Sequence, residues 1–177
     1  AGIEAAHAAY RLGVKTALLT MSIEAIGRMS CNPAVGGVAK GQIVRDIDAL
    51  GGLMGKLTDK AGIQFRMLNK SKGPAVWGPR AQCDMDFYSK CARETLESFS
   101  GLDLLEGELA SFSPFLQKTE ILLADGRKFL TKALIITSGT FLASKMYTGL
   151  LEGVGGRVGE PSADALSKTL SGLKVPL

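Results

Sequence analysis

The stretch Ser30-Cys31-Asn32-Pro33-Ala34-Val35-Gly36-Gly37-Val38-Ala39-Lys40-Gly41 constrains this chain more than any other. It places a thiol, a proline, three glycines and a lysine in one connection. Proline fixes φ and removes a backbone donor. Glycine admits positive φ and a close approach of backbone to whatever lies beside it. Such a loop can turn main-chain N–H groups toward a bound group, with the thiol at its entrance. A connection that only joined two elements has no need of so many special residues.

The pattern on either side is that of an α/β protein. Gly2 to Leu12 sets Ile3, Ala6, Ala9 and Leu12 on a small apolar face and predicts a helix ended by Gly13; Thr16–Thr20 follows as a strand. A glycine opening such a helix, with Ala6 four positions on, fits the last third of the dinucleotide fingerprint G-x-G-x-x-G. It equally fits a plain surface helix with glycine at its start. On the first reading the opening strand and two glycines lie upstream of residue 1, and the chain is a piece of a longer protein, not assured to fold alone. Gln42–Leu50 predicts a helix with Ile43, Ile47 and Leu50 on its inner face, ended by Gly51-Gly52. Gly62–Leu68 reads as a strand and Asn69–Arg80 as a basic loop. Asp84–Phe99 is the longest helical pattern, with Phe87, Cys91, Leu96 and Phe99 facing inward. Leu102–Leu105 and Glu108–Ser113 read as strands. Glu120–Ala124 and Arg127–Thr131 form a hairpin around Asp125-Gly126. Ala133–Thr137 has the apolar make-up of a buried parallel strand and runs into Ser138-Gly139-Thr140; Leu173–Leu177 reads as the start of another strand. This order predicts a doubly wound parallel sheet with a β-rich excursion. A glycine at the carboxyl end of a parallel strand lies where such sheets bind ligands. Gly2 and Gly139 are therefore expected to mark two edges of one cofactor crevice.

Composition narrows the class. At 177 residues the chain holds one domain, or one domain and part of another. No apolar run approaches the roughly 18 residues that a membrane helix needs. Cys31, Cys83 and Cys91 show no metal-type spacing and read as reduced thiols of a cytoplasmic protein. With His7 the single histidine, a histidine triad or a histidine zinc site is not expected, and no metal site is predicted. A net charge of +4 permits an anionic partner.

Cys31 can act as a nucleophile or in proton transfer if loop N–H groups, Arg28 or Lys40 stabilise its thiolate. It can also be a small packed hydrophobe. Gly36, Gly37 and Gly41 can cradle a phosphate or a flavin edge, with Gly41 at a helix entrance that favours an anion. This is no Walker loop, because Gln42 stands where lysine is required. The alternative is a tight helix-entry turn. Arg66, Lys70, Lys72 and Arg80 surround Trp77, and phosphate contacts plus a stacking ring suit RNA. A solvated charged loop would look similar, but the Gly73-Pro74 and Gly78-Pro79 pairs argue for a shaped one. His7, Cys83 and Cys91 read as packing residues, and Asp46 and Asp48 point different ways on their helix.

Read together, the segments AGIEAAHAAYRLG, MSCNPAVGGVAKGQIVRDIDALGGLMGK, AGIQFRMLNKSKGPAVWGPRAQ, TSGTFLASKMYTGL and GGRVGEP resemble the MnmG (GidA) family of flavin-dependent tRNA uridine 5-carboxymethylaminomethyl modification enzymes. The similarity runs along essentially the whole chain. It implies a Rossmann-like FAD-binding domain. Members are several times longer, so residues 1–177 would be a partial FAD-binding domain, with an NADH-binding insertion and a C-terminal helical domain further on, and inactive alone. It implies FAD, NADH as reductant and methylene-tetrahydrofolate as one-carbon donor. It implies an MnmE-type GTPase partner, a homodimer and a tRNA substrate whose wobble uridine is modified at its 5-carbon. Cys31 would be the family's SCNP cysteine, implicated in chemistry on the uridine ring or the flavin adduct. The implied cofactor contacts are Ala1, Gly2, Asn32, Gly36, Gly37, Leu109, Gly139 and Ala163; Arg66, Lys70, Lys72 and Arg80 are the candidate RNA contacts. Ala163 stands where the family has a FAD-contacting serine, with Ser162 one position early. Two rivals are a folate- and FAD-dependent tRNA methyltransferase of the T-loop uridine, against which the SCNP block argues, and a non-catalytic RNA-binding module.

Overall fold

The computed structural model describes residues 1–29, 32–156 and 162–173. Cys31, the Gly159-Glu160-Pro161 stretch and all but the first residue of the strand expected at Leu173–Leu177 lie outside the described residues. The chain divides into two compact units, residues 1–18 with 22–105, and residues 19–21 with 106–177.

The first unit opens with helix α1 (Gly2–Arg11), whose alanines favour helix. Gly13, at φ +73°, supplies the left-handed exit. Strand β1 (Thr16–Thr20) pairs with β5 (Leu102–Glu106). The N–H of Thr16 donates to Gly101 O at 3.1 Å and that of Gly107 to Thr20 O at 2.9 Å. Starts meet starts and ends meet ends, so the pair is parallel. Strand β2 (Ala34–Gly36), helix α2 (Lys40–Ala49), helix α3 (Met54–Ala61), strand β3 (Gly62–Leu68), strand β4 (Gly78–Cys83) and helix α4 (Met85–Glu97) lie between β1 and β5. The order β2-β4-β3 makes an antiparallel sheet. Leu57, Ala61, Ala81, Cys83, Tyr88, Cys91, Ala92 and Leu96 form the buried centre of this unit.

Two expectations shift here, and one helix forms where none was expected. The inner face of α2 is Gly41, Val44 and Ile47, while Ile43 and Leu50 are exposed. The helix begins at Lys40, and the contact of Gly41 with Pro79 sets its rotation. On α4 the buried residues are Tyr88, Cys91, Ala92 and Leu96, and Phe87 is exposed. The Asp84 carboxylate accepts from the Phe87 N–H at 2.9 Å, an N-cap that fixes where the helix starts. Helix α3 has no side-chain cap from its own N-cap residue. The Glu4 carboxylate accepts from the N–H groups of Leu53 (3.0 Å) and Met54 (2.6 Å) instead. A helix so short, begun by a residue on another helix, carries no local signal.

The second unit is built from a meander, a hairpin and a helix. Strands β6 (Leu109–Phe115), β7 (Lys118–Leu123) and β8 (Lys128–Thr131) pair antiparallel in that order. Gly126 takes φ +88° in the expected Asp125-Gly126 turn. Arg127 locks it through its backbone N–H and Nε to the two Asp125 carboxylate oxygens, 3.0 and 2.7 Å. Strands β9 (Lys145–Thr148) and β10 (Leu151–Val154) form a second hairpin. Helix α5 (Asp164–Gly172) buries Leu166 and Leu170 against Leu109 and Phe112. The strand expected at Ala133–Thr137 does not form, and Ile135 is exposed. A strand needs a neighbour to take its N–H and C=O groups, and this segment joins no ladder among the described residues. Among those residues no helix is long and apolar enough to cross a membrane.

Candidate functional site

The glycine block is laid against β4. The Asn32-Pro33 turn enters β2, with Ala34 N–H donating to Asn32 O and Cys83 N–H to Pro33 O, both at 2.7 Å. Ala34, Val35 and Gly36 then face Gln82, Ala81 and Arg80. Gly36 holds φ +87°, and any Cβ there would overlap the Pro79 carbonyl. A Cβ on Gly41 would lie 2.7 Å from the same oxygen and from Pro79 Cδ. The Gly37 N–H donates to Pro79 O at 2.8 Å, and the Gly41 N–H to Gly37 O at 2.9 Å. The close approach these glycines permit is therefore first to β4, and two of the N–H groups expected to face a ligand already have acceptors in the chain. Gly37 alone keeps open space around its α-carbon, at φ +114°.

The pleat then sorts the basic residues. Directly opposed residues share a sheet face, and residues two apart along a strand do too. One face of the sheet thus carries the row Gly36, Arg80, Arg66 and beside it the row Ala34, Gln82, Gln64. Gln64, Arg66, Leu68, Arg80 and Gln82 line a concavity of about 240 Å³ on this face. The basic loop expected over Asn69–Arg80 ends at Trp77, because Gly78–Cys83 is strand. It contains two short 3-10 turns, Lys70–Lys72 and Pro74–Val76. Its shape is pinned by Trp77 Nε1–H donating to Lys70 O (3.2 Å), Asn69 Nδ2–H to Val76 O (3.3 Å) and Gln42 Nε2–H to Trp77 O (3.3 Å). The four expected RNA-contacting cations are therefore divided, with Arg66 and Arg80 on the sheet and Lys70 and Lys72 on the turn. Gln64 and Gln82 are not singled out by the sequence; their alternation with Arg66 and Arg80 is visible only once β3 and β4 are paired.

The remaining candidates are scattered. Ala1 is the exposed residue before α1, and Gly2 its first residue, with no side-chain cap. In the second unit Leu109 opens β6 opposite Leu123, and Gly139 takes φ +59° with open space around it. Ala163 is buried; its N–H donates to Phe141 O at 2.7 Å and its carbonyl accepts from Ser167 N–H at 3.2 Å. Both of its backbone groups are engaged within the chain. The Ser162 hydroxyl donates to Asp164 Oδ1 at 2.6 Å and accepts from the Ser144 N–H at 2.9 Å. His7 is buried and stacks on Phe99 with ring centroids 5.3 Å apart. Burial holds its pKa below the ordinary value, so it packs as a neutral ring. Burial pushes the Cys83 thiol up and the Tyr88 hydroxyl up to about 12, which makes neither a reactive anion. Among the described residues no three metal-ligating side chains come together.

The architecture is that of Rossmann-like α/β proteins. A GidA structure from Aquifex aeolicus matches with a TM-score of 0.93 and 44% identity over 99% of this chain and 29% of that one. A GidA-related protein from Thermus thermophilus shares the fold alone, at 17% identity and a TM-score of 0.62 over 96% of this chain and 62% of that one. The model of the glucose inhibited division protein A family matches residues 1–176, and this chain belongs to that family. A relative in Chloroflexus aurantiacus named tRNA uridine 5-carboxymethylaminomethyl modification enzyme MnmG is 48% identical across 100% of this chain. One of the same name in Borreliella burgdorferi is 48% identical across 98% of it. The chain spans 28% of the length of each of these two relatives.

Proposed function

We propose that this chain is the FAD-binding part of an enzyme that adds an aminomethyl or carboxymethylaminomethyl group to the 5-carbon of the tRNA wobble uridine. The observation that carries the reading is the 48% identity to a relative of that name over the whole chain. The two most specific sequence blocks also become neighbours: the SCNP segment leads into β2, which pairs with the β4 strand of the WGPRAQ segment. NADH and methylene-tetrahydrofolate are the further small molecules of this reading. Its partners are tRNA, an MnmE-type GTPase and a second copy of the chain, in the cytoplasm.

The residues present fit the flavin cofactor. Helix α1 begins at Gly2 without a side-chain cap, and the first N–H groups of a helix have no partner inside it. They suit a pyrophosphate, with Ala1 and Gly2 at the point of approach. Asn32, Gly36 and Gly37 would lie against the cofactor on the β2 side, Gly37 having the room to do so. Leu109, Gly139 and Ala163 are the cofactor contacts proposed within the second unit. Ala163 would contribute packing there, since its backbone groups are engaged. When bound, FAD supplies electron transfer that a protein side chain cannot. Cys31 is assigned the nucleophile: its thiolate adds to the uridine 6-carbon, the electron pair moves to the 5-carbon, that carbon bonds the one-carbon unit, and loss of the 5-carbon proton with departure of the thiolate restores the ring double bond. Arg66, Lys70, Lys72 and Arg80 hold the RNA backbone.

The test uses the full-length protein and its Cys31→Ser variant. Bound FAD is read by absorbance and modified wobble uridine by mass spectrometry of tRNA. Flavin retained with modification lost is the expected result. Flavin and modification both intact would reduce Cys31 to a packed thiol.

A further inference from the structure

Arg66 and Arg80 stand directly opposite each other on β3 and β4. Like charges in that position oppose the pairing of the strands. No acidic side chain lines the concavity they share, and neither guanidinium has an ion-pair or hydrogen-bond partner among the described residues. The adjoining row is Gln64 opposite Gln82. On the third strand the matching positions are Gly36 and Ala34, so β2 raises nothing larger than a methyl group on this face. The array is therefore open toward β2, the strand that Cys31-Asn32-Pro33 leads into.

The donor set selects the ligand. One guanidinium fork satisfies a carboxylate by itself. Two adjacent forks flanked by two amide groups offer more donors than a carboxylate can accept; on an RNA backbone the forks share the two non-bridging oxygens of one phosphate, and the amides reach its ester oxygens and the neighbouring ribose hydroxyl. We propose that Arg66 and Arg80 together clamp a single backbone phosphate of the RNA, with Gln64 and Gln82 as neutral donors beside it. This rests on the tRNA reading above and sharpens it: one nucleotide is fixed beside the strand that carries the cysteine segment. Lys70 and Lys72, on the turn, lie outside the array and add diffuse charge.

The clamp predicts a coupling that diffuse charge does not. In the full-length protein, Arg66→Gln and Arg80→Gln are each expected to weaken binding of an anticodon stem-loop RNA by about tenfold. Each should lower the slope of log affinity against log salt by about 0.7. The double variant should be little worse than either single one, and its slope no lower, because one phosphate is lost in all three. Gln64→Ala and Gln82→Ala should weaken binding less and leave the slope unchanged. Independent losses, with the slope falling twice in the double variant, would overturn the clamp. So would unchanged RNA affinity with flavin lost, which would assign the phosphate to the dinucleotide cofactor. If the wild-type protein binds no RNA, the tRNA reading itself has failed. Labelling by phenylglyoxal then decides, with inorganic phosphate as protectant and mass spectrometry as readout. Protection of both arginines, lost at Arg80 in Arg66→Gln, keeps the phosphate clamp; no protection removes it.

Discussion

The two units reach order by different routes. The first is held by side chains that meet from far apart in sequence. Glu4 caps a helix 49 and 50 residues away, Phe99 stacks on Tyr10 and His7, and the Ser89 hydroxyl donates to Ile26 O at 2.5 Å. The second is held mostly by ladders between strands that follow one another, with α5 laid on β6. Its hairpin turns carry Leu116 and Leu150 exposed. Backbone ladders tolerate the loss of a side chain far better than a close-packed centre does. The first unit should accordingly be brittle to truncation and the second forgiving.

Paired truncations of matched residues test this most severely. Leu96 is fully buried on α4 and Leu166 is buried on α5. Leu96→Ala should cost about 4 kcal/mol and Leu166→Ala about 2 kcal/mol, because the thinner cluster can relax into the space. Hydrogen exchange of the intact protein, read separately for the two units, distinguishes them; equal losses would end the comparison. A second pair isolates backbone from packing. Gly36 and Gly126 hold nearly the same φ, +87° and +88°, but a Cβ meets the Pro79 carbonyl at Gly36 and nothing within 4 Å at Gly126. Gly126→Ala should cost about 1 kcal/mol for left-handed backbone alone. Gly36→Ala should cost about 3 kcal/mol and shift β2 away from β4. Similar costs at both sites would mean that the glycine block is not held by its contact with Pro79.

Glu4→Gln asks whether the long-range cap matters. It should cost about 1–2 kcal/mol, because a carboxylate that accepts two N–H groups is replaced by a weaker acceptor at a helix N-terminus. Exchange should quicken first at Leu53 to Leu57. Faster exchange at the start of α1, with Leu53 to Leu57 unchanged, would show that Glu4 serves α1 and not α3.

The same contrast explains what the sequence discloses. The hairpin around Asp125-Gly126 is legible because its instruction is local: a turn pair flanked by strand-forming residues. Helix α1 and strands β1, β3 and β5 are legible from periodicity. Helix α3 is not, since its start is fixed by Glu4 on another helix. The phases of α2 and α4 depart from the periodic reading because Pro79 and Asp84 set them. The glycine block is legible as special but not in kind: the loop expected to open onto a ligand includes a strand bonded to β4. Arg66 and Arg80 are legible as cations of one loop. Their opposition across the ladder, and the two glutamines beside them, depend on a register that no single segment contains.

The smallest effect expected is a pH dependence confined to the first unit, which holds the chain's single histidine. Burial is the largest influence on His7 and lowers its pKa; Glu4 raises it, and Arg11 and Lys56 lower it. The unfolded imidazole takes up a proton near pH 6.5, whereas the folded ring resists protonation until lower pH. Between the folded value and about 6.5 the unfolded state binds more protons, so stability rises with pH there and is flat above. Below the folded value both states are protonated and the loss levels off. The rise should be seen at amides of α1 and around Phe99 just beyond α4, and not in the β6–β7–β8 ladder. His7→Phe keeps an aromatic ring against Phe99 and removes the proton, so its first unit should lose the pH dependence while the second is unaffected. A slope that survives in His7→Phe would assign the titration to another group and leave the buried ring a purely packing residue.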